Sequence, residues 1–218
     1  MPERKRPVPP VGWQNIRKRD LRTSRSSAEV SRAGYRQGIP LRKIANFITF
    51  QAAWFAAVLG AAHGMPWLGV VAVPLALALH LALSPDWRPE LLLALAAAVT
   101  GFVFDSILIA AGMFSPVPYI LPSPFSSLWM VMLWMNLATT MNVSMGWLRG
   151  RYALAAVFGA FGGPLAYYSG AKLGAMTAIP PVNALLAIGV AWALAFPLLL
   201  KINEVVQKQF ARGKDDII

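Results

Sequence analysis

The sequence predicts an all-α protein: a polytopic transmembrane bundle of about six helices with a disordered basic N-terminal tail. Three observations predict this class. The chain is 57% hydrophobic and only 13% charged, and a soluble domain rarely combines so few charges with repeated apolar runs of about 20 residues. The Lys and Arg residues behind the formal charge of +11 lie mainly in residues 1–43 and at the ends of apolar runs. That distribution is typical of membrane orientation signals and does not favour nucleic acid as a partner.

Residues 1–43 form the predicted tail, which we expect to be cytoplasmic. They hold 12 of the 20 Lys and Arg residues, several prolines and an Arg/Ser-rich stretch, a composition typical of disorder. The first apolar run starts only at residue 44 and is long enough to span, so a cleavable signal peptide is not expected. A transit peptide is the alternative interpretation. We expect the tail to bind anionic lipids of the bilayer, since each basic residue near such a surface contributes about 1 kcal/mol.

Residues 44–205 form the predicted transmembrane domain, and residues 206–218 a short cytoplasmic tail. Apolar runs of suitable length predict six spans. In chain order they are Ile44–Ala62, Trp67–Leu83, Glu90–Ala111, Ser126–Leu148, Tyr152–Ala175 and Val182–Leu200. With the N-terminus inside, the inner segments hold 19 of the Lys and Arg residues and the outer segments only Lys172. The charge distribution therefore predicts that both termini are cytoplasmic.

The link between spans three and four, Gly112–Phe125, differs from the other connections. It contains four prolines and no charge, so it should be extended or turned. Two arrangements fit this composition. The link is either an interfacial connector anchored by Tyr119 and Phe125, or a segment that folds over the bundle.

Asp105 is the most informative polar residue of the spans. It lies about 15 residues into span three, in the outer half of the apolar core. An ionisable residue there costs about 2.5–3.5 kcal/mol on insertion scales, so it should face a partner or a wet cavity. Asp105 is either a functional residue or a structural one that fixes helix register. Lys172, near the outer end of span five, either pairs with Asp105 or extends to the interface.

Further polar residues follow helical spacing in span four. Asn136, Thr140 and Ser144 fall at i, i+4 and i+8, one stripe that would form interhelical hydrogen bonds or contact a ligand. The predicted ligand-binding residues are Asp105, Asn136, Thr140, Tyr167 and Lys172. An inner polar layer is predicted from Asn46, Gln51, His80 and Ser144.

Span five carries a stripe of small residues, predicted to be the helix-packing face. Its members fall within about 80° of one another on a helix: Gly159, Gly163, Ala166, Gly170 and Gly174. Such a stripe lets two helices approach closely in lipid. Pro164 follows two glycines near the middle of the span and predicts a kink or a break. The helix is either continuous and kinked, or divided into two half-helices of which the second begins at Pro164.

Recognised catalytic patterns are missing from the sequence. It contains no HExxH, no G-x-S-x-G and no Walker-type glycine loop, and without cysteine it has no disulfide and no thiol nucleophile. His63 and His80 lie near opposite ends of their spans, which disfavours haem ligation. We therefore predict no catalytic residue, no metal and no cofactor.

Four stretches carry a resemblance to a known family: Asn46–Trp54, Asp105, Ala138–Trp147 and Gly163–Ala175. Together they resemble a bacterial inner-membrane family catalogued as domain of unknown function 2878. The resemblance covers residues 44–205 and leaves the basic tail outside. It implies a multi-pass protein of the bacterial inner (plasma) membrane and supplies no activity.

The sequence leaves three classes of function open. The first is a small carrier or binding protein for a small or lipid-like molecule, built around Asp105, Asn136 and Lys172. The second is a structural or assembly subunit, which would contact a membrane-protein partner or a second copy through the glycine stripe. The third is a lipid-modifying membrane enzyme.

Overall fold

The predicted all-α class is confirmed by a computed structural model, which describes residues 41–215. The predicted N-terminal tail, apart from residues 41–43, lies outside the described residues. Within residues 41–215 there are six α-helices and no strand. In chain order the helices are α1 Leu41–Ala62, α2 Trp67–Ala82, α3 Trp87–Ala110, α4 Leu128–Ala138, α5 Tyr152–Lys172 and α6 Val182–Asp215.

Three of these helices, α1, α3 and α6, are long and apolar enough to cross a membrane. Two others, α2 and α4, are shorter apolar helices. Large apolar side chains such as Val99 and Leu186 are about two-thirds exposed on the long helices. Because continuous exposed apolar surface is the signature of a membrane or partner contact, the chain has the helices of a membrane protein.

Helix α3 begins with a side-chain cap. The Asp86 carboxylate accepts a hydrogen bond of 3.2 Å from the Arg88 backbone N–H, which satisfies one of the free amides of the first turn. Pro89 occupies that same turn, where its missing N–H costs nothing. These residues fix where α3 starts and therefore the depth of Asp105, which lies about five turns further along.

Helix α4 is much shorter than the span predicted for Ser126–Leu148. It ends at Ala138, turns follow, and a short 3₁₀ segment occupies Gly146–Leu148. The hydroxyls of Thr139 and Thr140 donate to backbone carbonyls three residues back, at 2.7 and 2.6 Å. Such bonds compete with the i to i−4 pattern of the helix. The predicted continuous fourth helix is therefore wrong, and buried irregular backbone takes its place.

Helices α5 and α6 form an antiparallel hairpin with close backbone contact. A Cβ at Gly159 would overlap the carbonyl of Trp192, and a Cβ at Gly163 would overlap the Trp192 indole. Across the same contact, a Cβ at Gly189 would lie 3.0 Å from the carbonyl oxygen of Ala160. Helix α5 continues through Pro164 without a break. It is one continuous helix rather than two half-helices.

One end of the bundle is closed by two connections that pair with each other. The Val117 N–H donates to the Ala175 carbonyl at 3.0 Å, and the Thr177 N–H donates to the Ser115 carbonyl at 2.9 Å. The Phe114 side chain is buried beneath them. The uncharged Gly112–Phe125 link thus folds over the bundle and meets the connection between α5 and α6.

Candidate functional site

The bundle encloses a cavity of about 240 Å³ between α1, α3, α4, α5 and α6. Its lining is mostly apolar, with glycines of α5 on one side and aromatic side chains elsewhere. Six of the aromatic residues are Phe50, Trp54, Trp134, Phe158, Tyr167 and Trp192. Pockets that take small molecules have this character, an apolar wall with few polar groups.

Asp105 lies on this wall and is fully buried. Its Oδ2 accepts a hydrogen bond from the Trp134 indole N–H at 3.0 Å and one from the Ser126 hydroxyl at 3.4 Å. Its Oδ1 accepts a hydrogen bond from the Tyr167 hydroxyl. The three donors come from α4, from the residues just before it, and from α5. One carboxylate therefore joins α3 to two neighbouring elements at the cavity.

A glycine on α3 makes the Trp134 contact with Asp105 sterically feasible. Gly101 lies one turn before Asp105, and a Cβ at Gly101 would overlap the Trp134 ring. The indole of Trp134 therefore lies directly against the α3 backbone, from which its N–H reaches Asp105. Gly101 and Asp105 lie on the same face of α3 because residues four apart on a helix share a face.

An aromatic stack extends from Trp134 across the cavity wall. The Trp134 and Trp192 rings are stacked, with centroids 4.4 Å apart and planes inclined by 20°. The Tyr167 ring meets Trp192 edge-on at 6.3 Å. The buried Trp192 indole N–H interacts with the Tyr167 side chain without a hydrogen bond of standard geometry. The wall therefore combines stacked aromatic rings with one carboxylate.

The cavity opens on the outer face of α5. Phe158 and Gly162 both line the cavity and are exposed on the protein surface. A Cβ at Gly162 would meet no described atom within 4 Å. The apolar side chains of Phe161 and Leu165 on the same helix are 75% and 66% exposed. The opening is therefore bordered by apolar surface.

The structure brings two of the five predicted ligand-binding residues together, Asp105 and Tyr167. Asn136 and Thr140 are buried outside the cavity lining. Asn136 donates from Nδ2 to the Phe50 carbonyl at 2.9 Å, and its Oδ1 has no partner among the described residues. Thr140 bonds the backbone of its own turn. These two residues position α4 and α1 rather than facing the cavity.

Lys172 lies away from Asp105. Its side chain is exposed, and its Nζ lies 5.6 Å from the centroid of the Tyr168 ring. Asp105 and Lys172, both among the described residues, form no ion pair. The pairing interpretation is therefore wrong, because Trp134, Tyr167 and Ser126 surround the carboxylate instead.

The predicted inner polar layer divides into separate groups. The Asn46 amide donates to the Thr139 carbonyl at 3.0 Å, and the Ser144 hydroxyl donates to Asn46 Oδ1 at 2.8 Å. These bonds hold the turns after α4 against α1. Gln51 is half-buried on α1. His80 lies elsewhere, 3.1 Å from Glu90 through its Nε2.

Glu90 is the centre of a polar network that sequence reasoning missed. Its Oε1 accepts hydrogen bonds from Asn142 at 2.9 Å and from Gln207 at 3.1 Å. Asn142 and Asn203 also exchange two side-chain hydrogen bonds. The usable signal was the spacing of Asn203 and Gln207, four residues apart on α6 and hence on one face. The other partners come from distant segments and share no pattern in the sequence.

The helices and the enclosed site define the chain as an all-α membrane protein with a small, largely apolar internal cavity. The chain belongs to the family described as protein of unknown function DUF2878, whose family model matches residues 43–198. The resemblance seen in the sequence is thereby confirmed. No curated protein and no solved structure matches the chain.

Proposed function

We propose that the protein is a multi-pass protein of the bacterial inner membrane that binds a small, largely apolar molecule inside its helix bundle. The observation that carries this proposal is the cavity of about 240 Å³ with the buried Asp105 on its wall. Burying a carboxylate in an apolar bundle is costly even when neutral donors hydrogen-bond to it, and ionisable residues inside apolar helices commonly mark functional sites. A ligand site at the cavity would explain why this position holds an Asp.

The size and lining of the cavity narrow the ligand. Its volume lies below the ~300–1,000 Å³ typical of pockets for drug-sized ligands, so the ligand is small. The opening at Phe158 and Gly162, bordered by exposed apolar side chains, favours entry from the lipid phase.

The packing of α5 favours this proposal over an assembly subunit built on the glycine stripe. Gly159 and Gly163 are occupied by Trp192 of the same chain, so they do not offer a free surface to a second protein. A lipid-modifying enzyme would need a side chain free to act as base or nucleophile. The Asp105 carboxylate and the Tyr167 hydroxyl of the cavity are instead hydrogen-bonded to each other. Transport across the membrane would require the cavity to open to both sides in turn. The opening on the outer face of α5 supports binding.

Retention of a small molecule by the purified protein tests the proposal. The full chain is extracted in an uncharged detergent, and bound molecules are identified by native mass spectrometry and lipid analysis. The Gly162→Leu variant places a side chain at the opening, where space is free, and should lose the molecule while folding normally. The control is Ala153→Leu, which places the same leucine side chain at an exposed position of α5 outside the lining.

The two variants should differ in the amount of bound molecule that they retain. Wild type and Ala153→Leu should retain the same molecule in equal amounts. If Gly162→Leu retains as much as they do, or if no preparation retains a molecule, the protein does not bind its ligand in this cavity.

A further inference from the structure

We propose that the ligand is an organic cation, an ammonium group carried on an apolar body, bound against the aromatic residues that cover the Asp105 carboxylate. This inference rests on the proposed function and adds the charge class of the ligand. It is carried by two independent observations, the charge of the lining and the identity of its aromatic residues.

The charge of the lining is one-sided. Asp105 is the acidic residue of the cavity wall, and no described residue of that wall is Lys, Arg or His. The partners of its carboxylate are the neutral donors Trp134, Tyr167 and Ser126. Neutral donors stabilise a carboxylate but leave its net charge in the bundle, where an opposite charge is strongly favoured. An anionic ligand would be repelled, whereas a cationic ligand would neutralise the site.

The aromatic residues supply the second observation. Trp54 of α1, Trp134 of α4 and Trp192 of α6 all line the cavity together with Tyr167. Cations bind the faces of Trp and Tyr through the ring quadrupole, and the attraction is larger in desolvated sites. Several tryptophans with a single carboxylate form a site for an ammonium ion.

The basic side chains that the structure describes do not occupy the cavity. Lys172 is exposed against Tyr168, and Arg149 donates to Asn142 at 2.9 Å. Both basic groups therefore lie outside the cavity lining. No Lys, Arg or His of the described residues lines the cavity, so in this proposal the ligand supplies the compensating cation.

The test compares two probes of the same shape and different charge. Benzyltrimethylammonium carries the cation, and neopentylbenzene replaces its nitrogen with carbon and is neutral. Binding to the full chain in uncharged detergent is followed by intrinsic tryptophan fluorescence. The Gly162→Leu variant serves as the blank for partition of the probes into micelles. We expect the cation to bind at least about tenfold more tightly than its neutral isostere, which corresponds to ~1.4 kcal/mol.

Two variants separate the charge from the aromatic faces. Asp105→Asn should weaken binding of the cation by about tenfold or more and leave the neutral probe unchanged. Asp86→Asn is the matched control, because Asp86 lies on the N-cap of the same helix outside the lining, and asparagine also caps helices. Trp54→Leu keeps the wall apolar and leaves the hydrogen bonds to Asp105 intact. It should weaken binding of the cationic probe and leave binding of the neutral probe unchanged.

Each result bears on one of the two proposals. Equal binding of the two probes, with Asp105→Asn and Trp54→Leu without selective effect, would refute the cation inference and leave the cavity as a neutral binding site. If wild type and Gly162→Leu respond identically to both probes, the cavity does not bind them and the proposed function itself fails. Trp54→Leu keeps the inference testable if Asp105→Asn does not fold.

Discussion

Replacing Gly163 with alanine should destabilise the protein, whereas the same change at the adjacent Gly162 should not. An added Cβ at Gly163 would lie 2.7 Å from Trp192 Cβ and closer still to Cγ. These atoms are at the root of the Trp192 side chain, so relief requires movement of the α6 backbone. Overpacking of this kind costs about 1–3 kcal/mol. At Gly162 the space is empty, and alanine gains up to about 1 kcal/mol of helix propensity.

The two substitutions should therefore differ by about 1–3 kcal/mol in the free energy of unfolding, because the propensity gain is common to both and only the clash distinguishes them. For a chain of this size, that difference corresponds to roughly 2–12 °C in melting temperature. Thermal unfolding followed by circular dichroism in one detergent measures it. Equal melting temperatures for Gly163→Ala and Gly162→Ala would refute the close contact of α5 with α6. They would also remove the basis for placing Trp192 on the cavity wall.

Three further predictions follow from other parts of the structure. Gly101→Ala should displace the Trp134 ring and cost about 1–3 kcal/mol through overpacking; circular dichroism melting checks this, and an unchanged melting temperature would contradict the placement of the ring. Glu90→Ala should cost about 1–3 kcal/mol, since it removes the partner of His80 and an acceptor of the half-buried Asn142 and Gln207 amides. The capping change Asp86→Ala should cost only about 1 kcal/mol in the same melting assay, and a loss from Glu90→Ala no larger than this would contradict the network. Phosphatase fusions after residues 64, 118 and 178 should read periplasmic, because the Lys and Arg distribution predicts that both termini face the cytoplasm; a periplasmic C-terminus would overturn this predicted topology.

The length of the hydrophobic runs predicted the helical class correctly, because run length can be read directly from the local composition. It failed for span four, where Thr139 and Thr140 end the helix by bonding backbone carbonyls. The apolar residues that follow are buried as turns, so their hydropathy resembles that of a span while their backbone is not helical. Competition between side chain and backbone is invisible to a hydropathy window, although Thr-Thr followed by Asn142 is a local signal for it.

The candidate site was predictable in part, and the reason is physical. An Asp deep in an apolar run must be functional or partnered, so Asp105 could be identified without a structure. Its partners could not, because Trp134 and Tyr167 are ordinary aromatic residues until the absence of a side chain at Gly101 brings one of them to the carboxylate. Lys172 was the electrostatically obvious partner, yet its position at the end of α5 keeps it on the surface.

Helix α6 has a mechanical consequence. Its 34 residues give a rod of roughly 51 Å, about 20 Å longer than the apolar core of a bilayer. Asn203 is held to Asn142 and Gln207 to Glu90, which fixes a pivot between the cavity and the far end. Trp192 lies ~16 Å on one side of Asn203, and Arg212 lies ~14 Å on the other. Pro197 lies between Trp192 and Asn203, so a ligand that displaced Trp192 would bend α6 at this proline while the hydrogen bonds of Asn203 and Gln207 held its far half in place.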